Sequence, residues 1–168
     1  VIVGGGYIGL EFASMFAGFG SEVTVLEGGD KFIAREDRDI ANVIQTRLEE
    51  LGVRFIFNAQ VDEITDENEL TTVSYLERSS GMSVKIPADA VLVATGRKAS
   101  TASLNLEAAG VAVNERGEII VNELLQTTVP HIWALGDVKG GLQFTYISLD
   151  DFRIIKEQLF GQNDRTTA

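Results

Sequence analysis

Gly4, Gly6 and Gly9 stand at the spacing G-x-G-x-x-G directly behind the apolar run Val1-Ile2-Val3. A strand that hands over to a helix through such a loop has few architectures open to it. Gly4 allows a tight turn, Gly6 has no Cβ to hold a pyrophosphate off the backbone, and Gly9 lets the helix pack closely on the strand. The helix that follows aims its unpaired N–H groups and the positive end of its dipole at the phosphates. A second apolar run, Val23-Thr24-Val25-Leu26, ends in Glu27, 18 residues beyond Gly9. An acid at that place can hold the hydroxyl pair of a ribose. Strand, glycines, helix, strand and acid in this order imply a dinucleotide site.

Ile8, Phe12, Met15 and Phe19 recur at helical steps and define the apolar face expected to be buried, with Gly20 as the stop. Ile40, Val43, Ile44, Leu48 and Leu51 do the same for a second helix, led in by Glu36 and Asp37 and closed by Gly52. Val53–Phe57 reads as a third strand, completing a β-α-β-α-β half-Rossmann unit with parallel strands. The period then changes. Val61–Ile64, Leu70–Leu76 and Met82–Ile86 are short runs separated by Asp66-Glu67-Asn68-Glu69 and by Ser79-Ser80-Gly81. The alternation of Val73 with Tyr75, and of Met82, Val84 and Ile86, predicts an antiparallel meander in place of a third helix. Ala90–Ala94 returns as a strand expected to be buried on both faces, and it ends in Thr95-Gly96-Arg97. The fold class is therefore α/β: a Rossmann-like parallel sheet with an antiparallel meander as crossover.

Beyond Lys98 the pattern is less regular. It holds a short helical candidate around Leu104–Ala109, apolar runs at Glu118–Val121 and Ile132–Leu135, and a last helix from about Leu142 to Phe160 capped by Gly161. The polar tail from Gln162 to Ala168 is expected to fray.

The formal charge of −11 over 168 residues argues against a nucleic-acid partner and against anionic membranes. No apolar run reaches the length of a membrane span, and a cytoplasmic protein is expected. With no Cys and one His, neither a disulfide, a cysteine nucleophile nor a metal site is expected. The absence of a Met start, with a strand already under way at residue 1, reads as an excised piece of a longer protein.

Three motifs sit in a fixed order: Gly4–Glu11 with Glu27, then Ala94-Thr95-Gly96-Arg97, then Thr127-Thr128-Val129 through Gly136-Asp137. Together they resemble the FAD-dependent pyridine nucleotide–disulfide oxidoreductases, the family of glutathione reductase, dihydrolipoamide dehydrogenase and mercuric reductase. The resemblance implies that residues 1–98 form an NAD(P)H-binding domain and 99–168 the C-terminal segment of an FAD-binding domain. The family's N-terminal FAD segment, with its redox-active cysteine pair, and its dimerisation domain would lie outside this chain. The segment Gly141–Ser148 looks most like the mercuric-reductase-like flavoproteins linked to resistance to reactive chlorine or hypothiocyanous acid.

The resemblance also implies residue roles. Gly4, Gly5, Gly6, Ile8 and Gly9 belong to the pyrophosphate loop, and Tyr7 resembles a tyrosine that gates the nicotinamide pocket. Glu11 resembles an acid beside the nicotinamide that pairs with a lysine of the absent segment. Val61 matches a position near the adenine, and Gly96 with Arg97 lines the far side of the cleft. Asp137, after Gly136, resembles the acid that hydrogen-bonds the ribityl chain of FAD. The amides of Gln143, Phe144 and Thr145 would face the flavin pyrimidine oxygens. NADH is favoured over NADPH because the charge of Glu27 repels a 2′-phosphate, although Lys31 and Arg35 lie near enough to offset it. The full-length protein would be a homodimer acting on a small redox substrate. Plainer readings stand beside these: Arg35–Arg38 as a solvated helix start, His131 as a surface loop residue, Trp133 as core.

The implied activity passes hydride from NAD(P)H to FAD and on to a disulfide or related acceptor; the fragment alone would be inactive. Two alternatives stay open. One is an NADH oxidase or ferredoxin-reductase type without a redox disulfide, and the other is a non-catalytic NAD-sensing module.

Overall fold

Val25 sits in the middle of a parallel sheet, paired with Ile2 on one side and Phe55 on the other. The computed structural model describes residues 1–67, 70–161 and 164–167. The chain divides into two compact units, Val1–Gly96 and Arg97–Ala168.

In the first unit the sheet order is β3-β2-β1-β7, from β1 (Ile2–Val3), β2 (Thr24–Leu26), β3 (Arg54–Ile56) and β7 (Leu92–Val93). Helix α1 (Tyr7–Gly18) joins β1 to β2, and α2 (Arg38–Glu50) joins β2 to β3. Strands β4 (Ala59–Glu67), β5 (Leu70–Glu77) and β6 (Met82–Ala88) form the antiparallel meander, in the order β4-β5-β6. Register assigns the sheet's two faces. Ile2, Val25, Phe55 and Leu92 share one row and pack with Leu10, Ala13, Ala41 and Leu48 of the helices. Leu26 and Ile56 fall on the opposite face and pack with Ala59, Val73 and Tyr75 of the meander. This is the Rossmann-like α/β fold with a meander crossover that the change of period predicts. Asn68 and Glu69, the second half of the loop predicted at 66–69, lie outside the described residues.

The burial differs from the sequence expectation in three places. On α1 the buried residues are Gly9, Leu10 and Ala13, while Ile8, Met15 and Phe19 are exposed. The cause is the close approach of helix and strand: a Cβ on Gly9 would stand 2.1 Å from the Gly4 carbonyl oxygen. At that crossing only a glycine fits, so the side that carries Gly9 meets the sheet, with Leu10 and Ala13 buried and Phe12 packed against the same core. On α2 Ala41 and Leu48 are buried, and Ile40, Val43, Ile44 and Leu51 are exposed. Val93 of β7 is 60% exposed rather than buried, because it stands on an outer strand of the sheet.

In the second unit, Val111, Ile119 and Ala134 form a small core with Leu106, Val121, Ile132 and Val138 around it. The runs expected as strands contribute only isolated bridges, Val113 with Ile119 and Gln126 with Trp133. The helical candidate at 104–109 is a series of turns with bonds such as Ala108 N–H to the Asn105 carbonyl. A short 3-10 turn spans Gly136–Lys139, and α3 runs Thr145–Phe160, starting later than Leu142. His131 is exposed. Trp133 is half-buried, and its indole N–H is buried without a partner among the described residues. The tail is tied down in part: Arg165 pairs with Asp150 at 3.1 Å, and the Thr167 N–H donates to the Glu123 carbonyl at 3.0 Å. Gln162, Asn163 and Ala168 lie outside the described residues.

Candidate functional site

The carboxyl ends of β1, β2 and β7 open onto a cleft of about 700 Å³ in the first unit, within the range of small-molecule sites. Its floor is the glycine loop. Gly4 adopts φ +106°, and a Cβ there would lie 2.4 Å from the Ala94 carbonyl oxygen, so β1 and the end of β7 can meet only around a glycine. Gly5 is buried under Glu27. Gly6 is different. It is exposed, it has extended backbone as the residue before α1, and a Cβ on it would meet nothing within 4 Å. No side chain caps α1. The N-terminus of α1 therefore brings the positive end of the helix dipole to the cleft at Gly6 and Tyr7. An open glycine at an uncapped helix start is a cradle for an anion such as a pyrophosphate.

Glu27 organises the wall beside this floor. Its Oε2 accepts the Gly5 N–H at 2.8 Å and its Oε1 accepts the Gly29 N–H at 2.7 Å. Each carboxylate oxygen keeps a further lone pair with which to accept a ligand hydroxyl. Tyr7, at the start of α1, donates its hydroxyl to Glu36 Oε1. Arg38 is not merely solvated: its guanidinium donates to the carbonyls of Phe32, Ile33 and Glu36 and fixes the loop between β2 and α2. That loop delivers Lys31 and Arg35 to the cleft, and the meander delivers Arg78. Three cations and two acids, Glu27 and Asp30, thus line a cleft in a chain of net charge −11. The local excess of positive charge suits a phosphate-bearing ligand.

Of the residues singled out in the sequence, Gly4, Gly5, Gly6, Tyr7, Glu27, Val61 and Gly96 line this one cleft, together with Lys31 and Arg35. Gly9 supports it from beneath, and Ile8 and Glu11 are exposed on α1 outside its lining. Sequence reasoning missed Gly28, Gly29, Gln60 and Arg78. The pair Gly28-Gly29 directly after the strand-end acid was a usable signal for a loop folded back on Glu27. Arg78 had none, since its place depends on the register of the meander.

In the second unit Arg97 gathers two more of the expected residues. Its guanidinium pairs with Asp137 Oδ2 at 2.6 Å and donates to the Gln143 carbonyl at 2.8 Å. Asp137 rides on the 3-10 turn, which begins at Gly136 with φ +72°. The Gly136 N–H donates to Asp151 Oδ2 at 2.8 Å, and the Lys139 ammonium stands 3.3 Å from the same oxygen. Asp151 is only 3% exposed, so this turn is pinned from the core. Phe144 precedes α3 in extended conformation, stacks on Tyr146 at 5.2 Å and provides no side-chain cap. The start of α3 and the half-exposed Asp137 offer donors and an acceptor to one side of a polar ring system and its hydroxylated chain. They form one wall, not an enclosure.

Among the described residues there is no group of three or more His, Cys, Asp or Glu that could hold a metal ion. No helix among them is long and apolar enough to cross a membrane.

Comparison with known proteins gives the family and the fold. The sequence profile of the family described as pyridine nucleotide-disulphide oxidoreductase matches residues 1–151. The probable pyridine nucleotide-disulfide oxidoreductase RclA of Escherichia coli is 54% identical over 167 residues, which is 99% of this chain and 36% of that protein. A dihydrolipoyl dehydrogenase of Bacillus subtilis is 40% identical over 163 residues, 97% of this chain and 34% of its own length. The solved structure of the HOCl-induced flavoprotein disulfide reductase RclA from E. coli superposes with a TM-score of 0.88 at 53% identity. It matches 99% of this chain and 37% of its own. The chain spans about a third of the length of these relatives.

Proposed function

The chain belongs to the pyridine nucleotide-disulphide oxidoreductase family, and from that premise we propose that it is the nicotinamide-cofactor-binding portion of a flavoprotein oxidoreductase. Residues 1–98 serve as the NAD(P)H domain and 99–168 as the C-terminal segment of the FAD domain. The observation that carries the reading is the cleft in which an open Gly6, an uncapped α1 and Glu27 converge.

In this reading the Gly4–Gly9 loop and the start of α1 bind the pyrophosphate, and Glu27 accepts the adenosine ribose hydroxyls while continuing to hold Gly5 and Gly29. Because Glu27 opposes a second negative group at that ribose, NADH is preferred, with Lys31 and Arg35 moderating the preference. Tyr7, released from Glu36, gates the nicotinamide end, and Glu11 positions a lysine from outside the chain. Gly96 and Arg97 border the flavin side. Arg97 orients Asp137 toward the ribityl hydroxyls, and the amides of Gln143, Phe144 and Thr145 face the pyrimidine oxygens. Bound FAD would supply the chemistry of taking hydride from the nicotinamide and passing electrons onward. The chain has no Cys, so exchange with a disulfide acceptor must use thiols outside these 168 residues.

Stoichiometric reduction of the intact protein tests this. Anaerobic NADH titration should consume two equivalents per flavin if a redox disulfide accompanies it. Consumption of a single equivalent would favour the alternative of an oxidase or ferredoxin-reductase type. Failure to bind NADH at all would overturn the assignment of the cleft.

A further inference from the structure

Arg78 enters the cleft from the turn that follows β5, far in sequence from the glycine loop. Its side chain is exposed and yet held on several sides. Nε and Nη2 both donate to Gln60 Oε1, at 3.2 and 3.0 Å, and Nη1 donates to the Gly28 carbonyl at 3.4 Å. Gln60 is oriented in turn by Asp62, through a bond of 3.3 Å, and the Arg78 N–H is bound to the Asn58 carbonyl at 2.9 Å. The guanidinium is therefore fastened by its edges to β4 and to the loop after β2.

That arrangement has a chemical consequence. A guanidinium recognises phosphate through pairs of parallel N–H groups along an edge, and it recognises aromatic rings through its planar face. Here three of its five N–H groups are engaged by protein oxygens, among them both donors of the Nε/Nη2 edge. These bonds lie along the edges of the guanidinium of an exposed residue in the cleft lining, and those to Gln60 and Gly28 hold its plane in place. We propose that Arg78 is the platform on which the adenine ring of the dinucleotide stacks, beside Val61 at the adenosine end of the cleft. This deepens the reading of the cleft as the NAD(P)H site and rests on it.

The proposal separates Arg78 from a 2′-phosphate ligand, the other role a cation at this end could have. Arg78→Lys keeps the charge and removes the plane. Dissociation constants of NADH, NADPH and reduced nicotinamide mononucleotide, measured by titration calorimetry on the intact protein, give the three readings needed. Stacking requires Arg78→Lys to weaken NADH and NADPH by the same factor, roughly 3- to 30-fold, and to leave the mononucleotide unchanged. A loss confined to NADPH would make Arg78 a phosphate ligand and overturn the platform. An equal loss for the mononucleotide would reduce Arg78 to a support of the Gly28 loop and overturn it too. Absence of NADH binding by the unsubstituted protein would remove the cleft reading itself, a result distinct from either.

Discussion

Glu27 accepts the backbone N–H of Gly5 through Oε2 at 2.8 Å, so the acid at the tip of β2 and the loop after β1 form one structural unit. The second oxygen fastens Gly29 in the same way. Glu27→Ala should therefore do two things at once. Losing two amide bonds to a charged acceptor, and the ribose contact, should weaken NADH by roughly 10- to 100-fold. Removing the negative charge should also shift the preference toward NADPH. Steady-state kinetics with both cofactors decides the matter, and an unsubstituted protein that used NADPH as well as NADH would contradict the role given to Glu27.

Two glycines of one loop should fail in opposite ways. Gly6→Val places its side chain in open space, so the protein should fold with an unchanged melting temperature while NADH affinity falls by roughly 100-fold or more. Gly9→Ala drives a Cβ into the Gly4 carbonyl at 2.1 Å and should cost stability first. Thermal melting beside NADH titration separates them. Equal melting temperatures for the two variants would mean that helix and strand are not in the contact described.

Asp137→Ala should release flavin without unfolding the protein. Its ion pair with Arg97 is nearly half exposed on both sides, and such pairs contribute about 0–1 kcal/mol to stability. The flavin, by contrast, would lose an acceptor for its ribityl chain. Visible absorbance per protein after purification measures retention; full occupancy in the variant would take Asp137 out of the site.

Asp151→Ala should behave in the reverse sense. Its carboxylate is buried, and removing it strands the Lys139 ammonium, of which 13% is exposed, together with the Gly136 N–H. A loss on the order of 3 kcal/mol is expected, with cooperative melting displaced downward. Asp151→Asn, which still accepts the Gly136 N–H, should recover part of it. A variant as stable as the parent would show that the pair does not hold the turn.

The 168-residue chain produced alone should be colourless and inactive. In the proposed reading its second unit would offer a flavin one wall, and one wall cannot exclude water from the ring system. Yellow protein, or NADH-dependent dye reduction above that of free FAD, would falsify this.

The glycine spacing and the acid at Glu27 made the first unit legible, because each constrains backbone geometry directly. The meander was equally readable from the alternation of Val73 and Tyr75, both of which are buried. Helix faces were not. α1 carries two apolar sides, and periodicity cannot say which meets the sheet; the side with Gly9, Leu10 and Ala13 does, because the crossing at the Gly4 carbonyl has room for a glycine only. In the second unit, Glu118–Val121 and Ile132–Leu135 have strand-like composition but form no extended ladder. The cleft's Gln60 and Arg78 were invisible for a different reason: they reach it only through the pairing of β4 with β5, in which Gln60 faces Leu76.

That pairing leaves β4 and β6 as the outer strands of a three-stranded sheet, and an outer strand invites another chain to add on. Each carries an obstacle. In β4 the register shifts between Val61 and Glu63, and Asp62, Glu63, Asp66 and Glu67 crowd the strand with negative charge. In β6 Pro87 lacks the N–H a neighbour would need, and Lys85 adds a cation two residues earlier. The crossover that delivers Arg78 to the cleft is thus also guarded against strand-to-strand aggregation, so Pro87→Val paired with Lys85→Val should raise the chain's tendency to form fibrillar or amorphous precipitate on heating.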